Sequence, residues 1–194
     1  YALYLSAQGQ SFTANSALCS GWTSSEVLQS RWGSDYTANM QRLQSLAART
    51  GQTVLLYNGQ PAAACYHAIS SGHTEASQNV WGGQLPYLCG VDSAWDKFAD
   101  GYEVTIQYSA EQVRTALEEL GLTPDDSPEN WVGASTWDKA GYVRTLELCG
   151  QMVSGLEVRK ALDLRSTCFA IAWRGGQFVI TTRGYGHGVG LSQY

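Results

Sequence analysis

An α+β fold, with a mixed, largely antiparallel sheet and several helices, is what the 194-residue sequence predicts. Three observations carry it: helix-start signals before apolar stripes of period 3.6, strict alternation in 102–108, and glycine pairs between apolar runs. In chain order, Thr23-Ser24-Ser25-Glu26 fits the capping pattern in which a hydroxyl accepts from a free amide and the third side chain reaches back. After Asp35, Tyr36, Met40, Leu43 and Ala47 share one stripe that ends near Gly51, so a second helix is expected there. Residues 53–57 and 61–69 flank Asn58-Gly59, a two-residue hairpin turn. Tyr102, Val104, Ile106 and Tyr108 alternate with Glu103, Thr105 and Gln107, as a half-buried strand requires. Ser109 to Gln112 and Ser154 to Glu157 repeat the capping pattern; the first helix places Val113, Leu117 and Leu120 on one face and stops at Gly121. Residues 168–174 and 177–182 flank Gly175-Gly176, a second hairpin. Between Gly121 and Gly133, Pro124, Asp125, Asp126, Ser127 and Pro128 mark a soft segment.

Charged residues are 15% of the chain, against the roughly 25% usual for soluble domains, and hydrophobic residues are 44%. The missing polarity returns as Ser, Thr, Gln and Asn beside 22 aromatic residues, a composition suited to neutral ligands such as sugars. Net charge is −5, and the 3 Lys and 9 Arg form no cluster. Nucleic-acid binding, which needs a positive field, is therefore excluded. No apolar run approaches the roughly 18 residues of a membrane span, and no signal segment is recognisable. The five cysteines are scattered without metal-ligand spacing, so no metal or cofactor is expected. Their odd number leaves at least one without a partner within the chain.

Three segments depart from core-building patterns. The first runs from Tyr66-His67 through Ser70, Ser71, Gly72, His73, Thr74 and Glu75 to Trp81-Gly82-Gly83 and Pro86-Tyr87-Leu88. The second is Asp92-Ser93-Ala94-Trp95-Asp96, and the third is Gly184 to Tyr194, with His187 between alternate glycines. Hydroxyl, imidazole, carboxylate and glycine gathered in turns is the pattern of a site on loops over a rigid sheet. The alternate glycines are read as allowing close approach of the backbone to a ligand. They do not fit the dinucleotide fingerprint, and no helix follows them. A serine triad drawn from Ser70 or Ser71, His67 or His187, and Asp96 lacks a nucleophile elbow. A metal held by His67, His73 and Glu75 or His187 lacks helical spacing, since His67 and His73 are six apart across a Ser-Ser-Gly turn. Structural roles compete at each position: His67 as a strand-end hydrogen bonder, Trp81 and Trp95 as packing, Asp96 as a turn cap.

Taken in order, Tyr66-His67, Ser71-Gly72, Thr74-Glu75, Val80-Trp81-Gly82-Gly83, Leu85-Pro86-Tyr87-Leu88, Ser93, Trp95-Asp96, Leu164-Arg165-Ser166-Thr167 and Gly186 to Tyr194 closely resemble the stage II sporulation protein D family. That family also includes enhancers of cell-wall amidases. Arg31-Trp32-Gly33 and Gly59-Gln60-Pro61 extend the resemblance over essentially the whole chain. It implies a lytic transglycosylase that cuts peptidoglycan strands already stripped of stem peptides during engulfment of the forespore. It also implies one catalytic domain over 1–194, lacking its N-terminal part and with an inserted lobe at about 100–166. Family members carry an acid–base glutamate in an Ala-Glu-Met-Pro stretch, which here would precede Tyr1, so this chain alone is expected to be inactive. The other reading implied is a non-catalytic wall-binding amidase enhancer.

Tyr87 and Asp96 stand where the family places residues needed for activity. His67, Ser70, Ser71, Gly72, Thr74, Glu75, Trp81, Trp95, Gly186, His187, Ser192 and Gln193 are expected to bind the glycan. Cys89 stands where relatives often carry Lys, and Ala94 replaces a common Pro. The implied partners are glycan strands, the sporulation amidase (stage II protein P) and a membrane protein (stage II protein M). The implied location is the outer face of the cell membrane, held by an upstream helix.

Overall fold

The computed structural model describes residues 1–11, 23–51 and 53–194. Its contacts divide into two compact units, Tyr1–Ala64 and Cys65–Tyr194. Helices and mostly antiparallel sheets make it an α+β fold, as the sequence predicts. Among the described residues no helix is long and apolar enough to cross a membrane.

The first unit holds helices α1 (Ala2–Ala7), α2 (Ser25–Trp32) and α3 (Tyr36–Thr50) and strands β1 (Leu56–Tyr57) and β2 (Gln60–Pro61). The cap of α2 is Ser24, whose hydroxyl accepts from Val27 N, one residue later than the expected Thr23. Ser24 has the extended backbone of an N-cap, and Val27 at the third position cannot complete the reciprocal bond. The expected helix after Asp35 forms, but Leu43 and Leu46 are 48% and 43% exposed, so its stripe packs little within this unit. Asn58 and Gly59 both take positive φ and close β1 onto β2. This hairpin is shorter than the flanking apolar runs suggest.

The second unit begins with β3 (Tyr66–His67) and α4 (Ser77–Trp81), followed by a 3-10 turn, Ala94–Phe98. Strands β4 (Glu103–Tyr108), β8 (Phe169–Arg174) and β9 (Gln177–Arg183) form one antiparallel sheet with β9 central. The alternation in 103–108 is borne out by alternating burial, and Gly175-Gly176 is the β8–β9 turn. Strands β5 (Val132–Trp137), β6 (Val143–Leu148) and β7 (Gln151–Ser154) form a second antiparallel sheet that the sequence reading missed. A register shift between Val132 and Ser135 interrupts the period of two that would have announced β5. Helices α5 (Ala110–Glu119) and α6 (Gly155–Ala161) carry complete capping boxes at Ser109 and Ser154.

Both sheets and both helices meet on one core containing Val113, Leu117, Trp131, Leu146, Val158, Phe178 and Ile180. The expected soft segment, Gly121 to Gly133, is packed; it holds a 3-10 turn, Pro128–Asn130, and runs into β5. Leu122 and Trp131 are buried, and the Trp131 indole N–H donates to Asp125 while the Arg114 guanidinium donates to the Pro124 and Asp125 carbonyls. Burying that indole with a partner costs no unmet donor, so the turn is fastened by its own tryptophan. Strand β10 (Leu191–Ser192) runs parallel to β3, the one parallel pair among the described strands.

Candidate functional site

Backbone hydrogen bonds bring the three singled-out segments together. Ile69 and Tyr185 exchange bonds of 3.1 and 2.7 Å, Glu75 N donates to Gly188 O at 2.7 Å, and Thr74 N donates to Val91 O at 2.8 Å. Ser93 N donates to Gly72 O at 3.0 Å. Asp96 fastens all three with one carboxylate. Its Oδ2 accepts from Ser70 N at 2.7 Å and its Oδ1 from the Ser192 hydroxyl at 2.9 Å. Asp96 is 2% exposed. Burial alone would raise its pKa, but donors from Ser70, Ser192 and Ser93 outweigh it and hold the carboxyl below its ordinary value.

The glycines of the third segment serve this convergence. A Cβ on Gly190, at φ +82°, would lie 2.2 Å from Cys65 O, and one on Gly184 would lie 2.8 Å from Ile69 O. Close approach, expected toward a ligand, is therefore toward the protein's own first segment. Gly190→Ala should part β10 from β3 and cost roughly 2–4 kcal/mol, read as a lower urea midpoint; an unchanged midpoint would remove this role.

A second fastening was invisible in the sequence. The turn between β5 and β6 folds on Asp138, whose Oδ1 accepts from Ala140 N and Tyr142 N. The Ser71 hydroxyl donates to Ala140 O at 2.9 Å, Ser71 N donates to the Tyr142 hydroxyl at 3.2 Å, and that hydroxyl donates to His73 O at 3.1 Å. Burial pushes Tyr142 up to about 12, so it stays a donor. The run Asp138-Lys139-Ala140-Gly141 is a turn signal, but nothing local tells that it grips residues almost 70 positions away.

Glu75 is 4% exposed. Its Oε1 accepts from Ala76 N and the Asn79 amide, both at 2.7 Å, and its Oε2 is 3.8 Å from an Arg144 nitrogen. Burial, reinforced by the neighbouring Asp138 carboxyl, pushes Glu75 up to about 7. Asp138 Oδ2 is buried without a hydrogen-bond partner among the described residues. The long contact to half-exposed Arg144, whose guanidinium also donates to Asn79 O, is too weak to reverse the effect of burial.

His67 is buried, with Nδ1 3.2 Å from Val189 O. A carbonyl only accepts, so Nδ1 carries the proton, and Nε2 is left buried without a partner among the described residues. Burial, opposed by the Val189 carbonyl and Asp96, lowers its pKa. His187 has the opposite tautomer, its Nδ1 accepting from Val189 N at 3.0 Å. Burial, then His67 and Arg159, pushes it down to about 4, so it is neutral at pH 7. The Trp81 ring lies 5.0 Å from it, at the end of α4 and 50% exposed. Trp95 is 79% exposed and stands 5.9 Å from the 72% exposed Phe98.

The expected binding residues thus divide in two. His67, Ser70, Ser71, Gly72, Thr74 and Glu75 are buried and hold the segments, whereas Trp81, Trp95 and Gln193 face outward and Gly186, His187 and Ser192 are half-buried. Tyr87 is half-buried in the turn Leu85–Leu88. Among the described residues the hydroxyls of the triad serines contact backbone and not an imidazole: Ser70 Oγ accepts from Gly72 N, and Ser71 Oγ donates to the Ala140 and His73 carbonyls. Cys65, Cys89, Cys149 and Cys168 are free thiols; Cys19 lies outside the described residues.

A loop-built site on an α+β scaffold, pinned by buried carboxylates and edged with exposed aromatic rings, is the class this geometry defines. The chain is similar to stage II sporulation protein D over most of its length. It is 34% identical over 174 residues to stage II sporulation protein D of Bacillus subtilis and 35% identical over 174 residues to that of Bacillus amyloliquefaciens, each match covering 89% of this chain. The amidase enhancer of Bacillus subtilis is 24% identical over 199 residues, covering 75% of this chain and 28% of its own. The chain spans 49% of the length of the two sporulation relatives. No family model matches.

Proposed function

We propose that this chain is part of a sporulation protein that acts on the cell wall as a lytic transglycosylase, cutting denuded peptidoglycan strands to 1,6-anhydro-muramic ends during engulfment. The observation that carries the proposal is the closing of all three family-like segments into one site around Asp96, with Trp81 and Trp95 exposed at its edge. Such chemistry needs one carboxyl of raised pKa, which protonates the glycosidic oxygen and then takes a proton from the sugar's own 6-hydroxyl. A second carboxylate is not required, because the sugar supplies the nucleophile.

Glu75 has a suitable pKa but is 4% exposed and held by Ala76 and Asn79. It is assigned to the scaffold, and the acid role to a glutamate of the longer protein. Asp96, with both oxygens engaged, is assigned a positioning role, and Tyr87 a contact to the reacting sugar. Trp81, Trp95, His187 and Gln193 are assigned to sugar faces and hydroxyls. The longer protein would work at the outer face of the cell membrane, beside the sporulation amidase and a stage II membrane protein.

A second reading, a wall-binding amidase enhancer without catalysis, is favoured by one observation: two of the three carboxylates of the three segments, Glu75 and Asp96, are buried and committed, which leaves only Asp92 exposed. Mass spectrometry of denuded glycan treated with the full-length protein separates the readings. Anhydro ends are expected; hydrated ends would mean a hydrolytic muramidase, and retention of uncut strands would mean an enhancer.

A further inference from the structure

Arg165 lies in the Leu164–Thr167 motif, which the site described above leaves without a role. Three contacts fix it. Its carbonyl accepts from Gly186 N at 2.9 Å, its NH1 donates to Gly101 O at 3.0 Å, and its guanidinium carbon lies 4.5 Å from the centroid of the Tyr185 ring. Tyr185 is itself bound to Ile69, the neighbour of Ser70, and is 49% exposed. The guanidinium is therefore a flat plate held in one orientation on a half-exposed aromatic ring, with one nitrogen spent on a carbonyl. Arg144 and Arg183 each have a carboxylate within 4.0 Å, but among the described residues Arg165 has none. An arginine ordered in advance, adjacent to a site and lacking an anion, has the geometry that receives a planar carboxylate edge-on.

A second cation reaches the same turn. The aliphatic stem of Lys97 crosses Gly72, where a Cβ would lie 2.4 Å from its Cε, and Lys97 is exposed with no ion pair among the described residues. Lys97 packs on one end of the Ile69–Gly72 turn, and Tyr185, carrying Arg165, is bonded to the other. Trp95 and Phe98, exposed on the Lys97 3-10 turn, add apolar planes of the kind that sugar rings cover. In a chain of net charge −5, two unpaired cations beside exposed aromatic rings mark a site for an acidic sugar.

Resting on the glycan reading above, we infer that Arg165, laid on Tyr185, and Lys97 form a subsite for the carboxylate of an acidic sugar, the lactyl group of muramic residues in denuded strands. This subsite supplies selectivity for carboxylate-bearing glycan over neutral glycan, which the neutral imidazole and aromatic groups of the site do not. The test is equilibrium binding of the chain to labelled denuded strands and to the same strands with their carboxylates converted to amides. The wild-type chain is expected to bind the acid form about tenfold more tightly, the scale of one charge-assisted bidentate contact. Arg165→Gln should remove most of that preference and leave the affinity for amidated strands unchanged, which also shows that the variant is folded. Lys97→Gln, at an exposed position, should lower the preference by about two- to threefold. Equal wild-type affinity for the two polymers would overturn the subsite while leaving the glycan reading intact. Equal loss on both polymers in Arg165→Gln, with Lys97→Gln like wild type, would make Arg165 structural and overturn it as well. Binding of neither polymer by the wild-type chain would overturn the glycan reading and the subsite together.

Discussion

Asp96→Ala is expected to lower the melting temperature of the chain by roughly 6–12 °C. The carboxylate accepts from a buried amide, Ser70 N, and from the Ser192 hydroxyl, so its removal leaves two donors without partners. That loss is worth about 3 kcal/mol, and in a chain of this size each kcal/mol moves melting by about 2–4 °C. Asp96→Asn should fail as well, because its amide nitrogen would face one of those donors. Any activity should fall in parallel with stability, since the first and third segments would part. Differential scanning calorimetry at pH 7 is the check. Unchanged melting in Asp96→Ala would show that the carboxylate does not hold the segments, and would return it to direct contact with substrate.

Glu75→Gln should remove a loss of stability on raising the pH. Glu75 titrates near 7 in the folded chain, against about 4.5 as an ordinary carboxyl, so the folded state holds its proton more tightly than the unfolded state does. The stabilisation is complete below about 4.5, is lost as pH rises through the folded value near 7, and is gone above it. Between those limits the contribution is of order 2 kcal/mol, moderated by the Asn79 and Ala76 donors. A glutamine amide mimics the protonated acid and brings no charge beside Asp138. The variant should therefore match wild type near pH 4.5 and melt several degrees higher at pH 8. Parallel melting curves from pH 4.5 to 8 would show that Glu75 does not take up its proton in that range.

Local signals carried much of the fold. The Gly175-Gly176 and Asn58-Gly59 turns, the alternation of Glu103–Tyr108 and the capping boxes at Ser109 and Ser154 are decided within a few residues, and each forms. The sheet β5–β7 escaped notice because a bulge and small residues break its alternation, and because Cys149, in place of a usual turn residue, takes φ 48° beside Gly150. The candidate site was legible as a set of segments but not as a division of labour. Polar identity marks Ser70, Thr74 and Glu75 as unusual, yet only tertiary structure tells that they face inward to Asp96, Val91 and Asp138. The same holds for Tyr142, whose partners Ser71 and His73 lie 71 and 69 residues away.

The central claim is that glycan meets the unit Cys65–Tyr194 at the exposed edge of the three converged segments. Tryptophan indole N–H resonances test it most directly, because Trp81, Trp95 and Trp137 are 50%, 79% and 57% exposed, while Trp137 lies on β5 outside those segments. Titrating denuded strands into the ¹⁵N-labelled chain should shift Trp81 and Trp95 and leave Trp137 in place. A shift of Trp137 with Trp81 and Trp95 unmoved would contradict the account.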